Sequence, residues 1–143
     1  MTTKHCDVDL SRKIIVDTSV WIDYFLDRQT PQALCLSYLV DNDADILIPD
    51  LILCEILQGC RTKREISRVD SILSNFEIVT IGGADLARIS AGNYRHLRNR
   101  GITVRSTIDC LIATYTIEMG CVLLHNDRDY SVFEEFLELQ ILA

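Results

Sequence analysis

The sequence predicts a three-layer α/β fold, in which a central, mainly parallel sheet of about five strands lies between layers of helices. Short runs rich in β-branched residues alternate with longer segments of helical spacing, an order that is typical of parallel sheets. Most of these runs are apolar at their centre, as expected for strands that are buried on both faces. With 143 residues, the chain is long enough for one domain with a substantial core.

Each predicted element follows from the pattern of apolar residues. The five predicted strands are KIIVD (13–17), DILIPD (45–50), FEIVTI (76–81), CVLLH (121–125) and LELQILA (137–143). The segments between them have helical spacing, and the predicted helices are 18–26, 30–42, 51–59, 62–76, 84–101 and 106–120. Thr30 and Pro31 form a start signal for the second helix, while Gly59 and Gly120 end two others.

The beginning of the chain is polar, and we predict a flexible leader over 1–12 and a single domain over 13–143. The leader lacks the apolar core of an export signal, and no run reaches the ~18 apolar residues of a membrane helix. We therefore expect a cytoplasmic protein without a membrane partner. The six cysteines show no CxxC pair or Cys/His cluster, so no zinc site is predicted.

Asp17 and Glu55 are the first two candidate site residues. Asp17 follows the first strand, at the edge where sites form in parallel sheets, but taken alone it is better explained as a helix N-cap, which contributes about 1 kcal/mol. Glu55 is surrounded by apolar residues in LILCEILQG. Burying a lone carboxylate is costly unless it is paired or bound to a cation, so a helix-edge role and a functional role are equally favoured.

Asp109 and Asp127 occupy similar positions later in the chain. Asp109 lies among core residues in STIDCLIATY (106–115), although the first turn of a helix also favours an acid. Asp127 follows the fourth strand in LLHNDRDY (123–130), where a turn role is ordinary, and Asp129 is an alternative to it.

The joint pattern of these acids indicates a metal site. If four carboxylates meet at one sheet edge, they cannot all stay ionised without a compensating charge. Mg²⁺ or Mn²⁺ is the natural partner of ligands that are all oxygen atoms. Such a cluster suits the metal-assisted attack of water on a phosphodiester.

Four motifs in this order resemble the PIN-domain ribonucleases, and most closely the VapC-type toxins of bacterial toxin–antitoxin pairs. The motifs are IVDTSVWID (15–23), LILCEILQG (51–59), TIDCLIA (107–113) and LLHNDRDY (123–130). The resemblance implies a PIN-like α/β/α sandwich with its acids at the carboxyl edge of the sheet. It also implies a single-strand-specific endoribonuclease that requires Mg²⁺ or Mn²⁺ and acts on structured RNAs such as tRNA.

The resemblance further assigns roles and partners. The catalytic and metal-binding acids that it implies are Asp17, Glu55, Asp109 and Asp127. The supporting polar residues are Ser19, Thr107, Asn126 and Asp129. The implied partners are a small VapB-type antitoxin that blocks the site, an RNA substrate and a second copy of the chain in a homodimer.

A net charge of −7 argues against generic binding of polyanions, and a bound cation offsets only part of it. RNA still needs cationic contacts. The basic run that leads into the Asp109 helix is the predicted phosphate-contacting segment, with Arg95, Arg98, Arg100 and Arg105. The alternative is a catalytically inactive PIN-like module that only binds RNA or protein, which the presence of all four acids disfavours.

Overall fold

The computed structural model describes residues 8–142, and within them four strands form one sheet. The strands are β1 (Ile14–Val16), β2 (Ile46–Pro49), β3 (Glu77–Val79) and β4 (Val122–Leu124). They are arranged in the order β3-β2-β1-β4, and every neighbouring pair is parallel. The predicted α/β fold with a parallel sheet is confirmed.

Seven α-helices and one 3₁₀ turn accompany this sheet in the described part of the chain. They are α1 (Thr18–Phe25), α2 (Pro31–Asp41), α3 (Asp50–Gln58), α4 (Lys63–Leu73), α5 (Gly83–Asn99), α6 (Thr107–Glu118), the turn Arg128–Tyr130 and α7 (Ser131–Leu137). The helices pack in two groups, α1 to α4 and α5 to α7. Every residue of β1, β2 and β4 is buried, so both faces of the central sheet are covered.

The expected fifth strand over 137–143 is wrong. An unpredicted helix, α7, extends to Leu137, and Glu138 then takes a left-handed conformation with a φ of 60°, which redirects the chain. Only one parallel bridge follows, between Ile141 and Leu123. Two backbone hydrogen bonds form this bridge, from the Leu123 N–H to Gln140 and from the Leu142 N–H to Leu123, both at 2.9 Å, and residue 143 lies outside the described residues.

The predicted leader lies partly outside the described residues, which begin at position 8. Residues 8–12 form no helix or strand, and the Arg12 guanidinium donates to the backbone oxygen of Gly120 at 2.9 Å. Across residues 8–142, no helix combines the length and the apolar character that crossing a membrane requires.

Candidate active site

Asp17 is fixed at the carboxyl end of β1 by hydrogen bonds from two elements. Its Oδ2 accepts from the Ser19 backbone N–H at 3.3 Å and from the Ser19 hydroxyl at 2.8 Å, so the N-cap interpretation of Asp17 is confirmed. Its Oδ1 accepts from the Tyr130 hydroxyl at 2.8 Å. Because Asp17 is only 5% exposed, its carboxylate has one defined orientation at the sheet edge.

Tyr130 connects Asp17 to Asp109. The same hydroxyl lies 3.2 Å from Asp109 Oδ1, so one phenol oxygen spans the gap between the two carboxylates. The Asp109 backbone N–H donates to Ser106 Oγ at 3.1 Å, and this N-cap fixes the first turn of α6. Burial and then the negative charge of Asp17 raise the pKa of Tyr130, which therefore remains a neutral hydrogen-bond donor.

Glu55 joins the cluster through the first helix. Thr18 Oγ1 donates to Glu55 Oε1 at 2.9 Å, which ties α3 to the start of α1. The pKa of Asp109 is raised to about 6, first by burial, then by Asp17, and less strongly by Asp127 and Glu55, while the Tyr130 hydrogen bond opposes the shift. The acids that the sequence singles out therefore act on one another electrostatically.

Asp127 and Asp129 both approach Asp109 from the turn after β4. A carboxylate oxygen from each of these three residues lies within 4.8 Å of the other two. Asp127 Oδ1 accepts from the Asp129 backbone N–H at 2.9 Å, and the Asp127 backbone N–H donates to His125 Nδ1 at 3.1 Å. Both candidates for the fourth acid, Asp127 and Asp129, therefore lie close to Asp109.

The protein supplies little positive charge to this cluster. The ion pairs formed within residues 8–142 lie elsewhere and are Arg28–Asp23 and Arg88–Asp85. Burial lowers the pKa of His125, although Asp17 and Asp127 oppose this shift. His125 is therefore neutral near pH 7 and adds no counter-charge.

This donor set fits a hard divalent cation. The carboxylates that approach one another offer only oxygen ligands, as Mg²⁺ and Mn²⁺ prefer, and an uncompensated group of acids gains stability when a cation binds. The residues closest to forming such a site are Asp109, Asp127 and Asp129. Of the other two predicted ligands, Asp17 adjoins this group through the Tyr130 hydroxyl. Glu55 is held by Thr18, the residue after Asp17, and its charge acts on Asp109.

Within residues 8–142, two of the predicted supporting residues form no side-chain hydrogen bond to these acids. Thr107 is exposed and lines a separate cavity between α5 and α6. Asn126 is exposed in the turn after β4. Ser19, in contrast, hydrogen-bonds Asp17 directly.

The predicted RNA-contacting arginines lie in three different places. Arg105 lines a cleft of about 400 Å³ that also contains Asp109, Asp129 and Arg128. Arg95 and Arg98 line the cavity between α5 and α6, whereas Arg100 lies over the ring of Phe136, 5.3 Å from its centroid. Only Arg105 among the four shares a cleft with the acids.

Sequence reasoning missed three residues of this region: Thr18, Arg128 and Tyr130. Thr18 and Tyr130 both lie inside quoted motifs, but their partners are 37 and 113 positions away. No local spacing signals such contacts. Arg128 had a usable signal, since it stands between the two acids of the NDRDY segment.

A parallel sheet with carboxylates grouped beyond its strand ends is the arrangement expected of a PIN domain. A statistical model of the PIN domain family matches residues 14–135, and the chain belongs to this family. Within the family it is similar to VapC ribonuclease Mb1587 of Mycobacterium bovis and to ribonuclease VapC11 of Mycobacterium tuberculosis. Each is 32% identical over 128 residues, which cover 89% of this chain and 96% of the relative. The predicted VapC-type PIN domain is confirmed.

Solved structures agree on the fold. VapBC2 from Rickettsia felis, bound to a DNA fragment from its promoter, aligns with a TM-score of 0.69 and 21% identity over 90% of this chain and 96% of that one. VapBC-5 from Mycobacterium tuberculosis, a member of the VapBC family of toxin–antitoxin systems, aligns with a TM-score of 0.64 and 20% identity, over 92% and 98% of the two chains.

Proposed function

We propose that this chain is a VapC-type endoribonuclease toxin that hydrolyses RNA phosphodiester bonds with the help of Mg²⁺ or Mn²⁺. The observation that carries the proposal is the cluster of acids at one sheet edge without an ion pair to any described lysine or arginine. The names of the VapC relatives, both called ribonucleases, support RNA as the substrate.

The acids have two roles in the proposed cation site. Asp109, Asp127 and Asp129 would hold it, with Asp17 and Glu55 completing its surroundings. When bound, the cation lowers the pKa of a water molecule and stabilises negative charge on phosphate oxygens. The hydrogen bonds to Asp17 and Glu55 keep both carboxylates in fixed orientations, so little reorganisation is needed when substrate arrives.

The cleft beside the acids is the proposed path of the RNA backbone. Arg105 and Arg128 are exposed and line it together with Asp109, so each guanidinium is available to a phosphate next to the reacting one. Val104 and Val132 form part of the same lining and offer an apolar surface to a base or sugar.

The partners follow from the proposed VapC type. We propose a small VapB-type antitoxin that blocks the acid cluster, a homodimeric assembly, and a cytoplasmic location. Structural relatives include complexes named as toxin–antitoxin systems, which supports the antitoxin. Structured RNA such as tRNA is the proposed substrate class.

The proposal is tested by incubating the purified protein with an RNA pool that includes tRNA, with Mg²⁺, Mn²⁺ or a chelator. We expect endonucleolytic products with either cation and none with chelator, as read from gel electrophoresis and end mapping. Cleavage that persists in excess chelator would rule out the cation. RNA binding without cleavage under any of these conditions would favour the inactive binding module instead.

Replacing both Arg105 and Arg128 with alanine is expected to raise the KM for RNA by roughly tenfold or more, because charged hydrogen bonds contribute about 1.5–3 kcal/mol each. The salt dependence of RNA binding should also weaken, by about 0.7 in logarithmic slope per lost contact to single-stranded RNA. The matched control is the double variant Arg95→Ala with Arg98→Ala, which should stay near wild type. A larger loss in the control would place the phosphate path along α5.

A further inference from the structure

Tyr130 occupies a central position among the acids. It is fully buried, and it ends the 3₁₀ turn that follows Asp127. Its hydroxyl contacts Asp17 Oδ1 at 2.8 Å and Asp109 Oδ1 at 3.2 Å. In the described part of the chain, no other residue has a side chain that hydrogen-bonds the carboxylates of two clustered acids.

The ring of Tyr130 is held on two sides by aromatic neighbours. His125 lies at a centroid distance of 5.0 Å and Phe133 at 6.3 Å, and both rings are tilted relative to it. Because the ring is buried and packed in this way, the hydroxyl has little freedom to leave the two carboxylates. A buried tyrosine hydroxyl also needs a partner, and here both partners are site acids.

Asp17 and Asp109 can bind a cation while they contact the Tyr130 hydroxyl. A phenol has one proton, and the shorter distance identifies Asp17 as its main acceptor. A carboxylate has about four lone-pair positions, so each acid retains capacity for a cation while it contacts Tyr130. Hydrogen bonds of this kind to metal-binding carboxylates set their orientation, and their loss typically costs 10–100-fold in metal affinity.

We infer that Tyr130 is a positioning residue, whose hydroxyl orients Asp17 and Asp109 for binding of the divalent cation. This inference rests on the proposed function, since it assumes that the acid cluster binds such a cation. It assigns the aromatic residue that ends the fourth motif a role beyond packing.

The test is the variant Tyr130→Phe, which keeps the ring and removes only the hydroxyl. Mn²⁺ binding to the full chain is measured directly by electron paramagnetic resonance, without RNA. We expect an affinity about 10–100-fold weaker than wild type, with an unchanged circular dichroism spectrum. The matched control is Tyr115→Phe on α6, whose hydroxyl makes no hydrogen bond to the clustered acids; its Mn²⁺ affinity should equal that of wild type.

Three outcomes separate this inference from the proposed function. If wild-type protein does not bind Mn²⁺, the proposed function itself is wrong. If wild type binds and Tyr130→Phe binds equally well, Tyr130 only packs and the inference fails. Tighter binding by Tyr130→Phe also overturns it, because the hydroxyl would then compete with the cation. As a second readout, RNA cleavage by Tyr130→Phe should recover at saturating Mn²⁺, since the variant weakens cation binding but keeps every acid of the cluster.

Discussion

Asp17→Asn is expected to reduce RNA cleavage by at least about 100-fold, because a catalytic metal site contributes several kcal/mol and each 1.36 kcal/mol is a factor of ten in rate. The substitution removes a negative charge from a carboxylate that is almost completely buried. It also replaces one of the two oxygens that receive hydrogen bonds from Ser19 and Tyr130.

This variant separates the two interpretations of Asp17. Asparagine caps a helix about as well as aspartate does, and Asp109 Oδ1 remains as an acceptor for the Tyr130 hydroxyl, so the start of α1 should survive and the protein should stay folded. If Asp17 served only as the N-cap of α1, Asp17→Asn would leave RNA cleavage nearly unchanged. A large loss of cleavage in a folded protein therefore assigns the carboxylate to the site.

Asp23→Asn is the matched control. Asp23 is also buried and also belongs to α1, but its carboxylate pairs with Arg28 at 3.2 Å and contacts none of the clustered acids. Initial rates with a labelled RNA should fall for Asp17→Asn and remain within about twofold of wild type for Asp23→Asn, as expected for a residue remote from the chemistry. Equal rates for Asp17→Asn and wild type would contradict the proposed site.

The sequence indicated where each acid lies in the fold, because each is tied to an element that apolar patterning identifies. Asp17 directly follows a β-branched run, and Asp109 lies in the first turn of a helix with a clear N-cap. In a parallel sheet such positions meet at one edge. The contacts of Tyr130 and Thr18 could not be predicted from the sequence, because they depend on how elements far apart in the chain pack together.

The C-terminal region shows a different limit. The segment SVFEEFL forms α7, but seven residues give less than the window over which helical periodicity is recognised. The run LELQILA was expected to add a fifth strand, yet only a single bridge to Leu123 forms. Here the preceding helix, rather than local preference, decides the outcome.

The sequence also could not show which of the predicted RNA-contacting arginines lie beside the acids. Helical spacing groups Arg95 with Arg98, and the structure does place both on one cavity. Spacing alone does not reveal which side of a helix faces the site, so it did not separate these two from Arg105, which lies in the cleft beside Asp109.

Trp21→Ala is expected to lower the free energy of unfolding by about 3–5 kcal/mol, as large-to-small core substitutions of tryptophan do. Trp21 is fully buried and packs against three aromatic rings at centroid distances of 5.4 to 6.0 Å: Tyr24, Phe25 and Phe76. Its loss would open a cavity between α1 and the segment that enters β3. For a protein with a typical stability of about 5–15 kcal/mol, urea unfolding should show this as a large shift of the midpoint.

Trp21→Phe is the informative comparison, because the indole nitrogen of Trp21 is buried and has no hydrogen-bond partner within the described residues. An unsatisfied buried donor costs about 1–3 kcal/mol, and phenylalanine removes that donor while keeping an aromatic ring. The smaller ring leaves a cavity, so the two effects oppose each other, and we expect a net loss below about 2 kcal/mol. If Trp21→Phe were as destabilising as Trp21→Ala, the phenylalanine ring would recover none of the packing energy. The stability contributed by Trp21 would then have to come from a favourable contact of the indole nitrogen rather than from its aromatic neighbours.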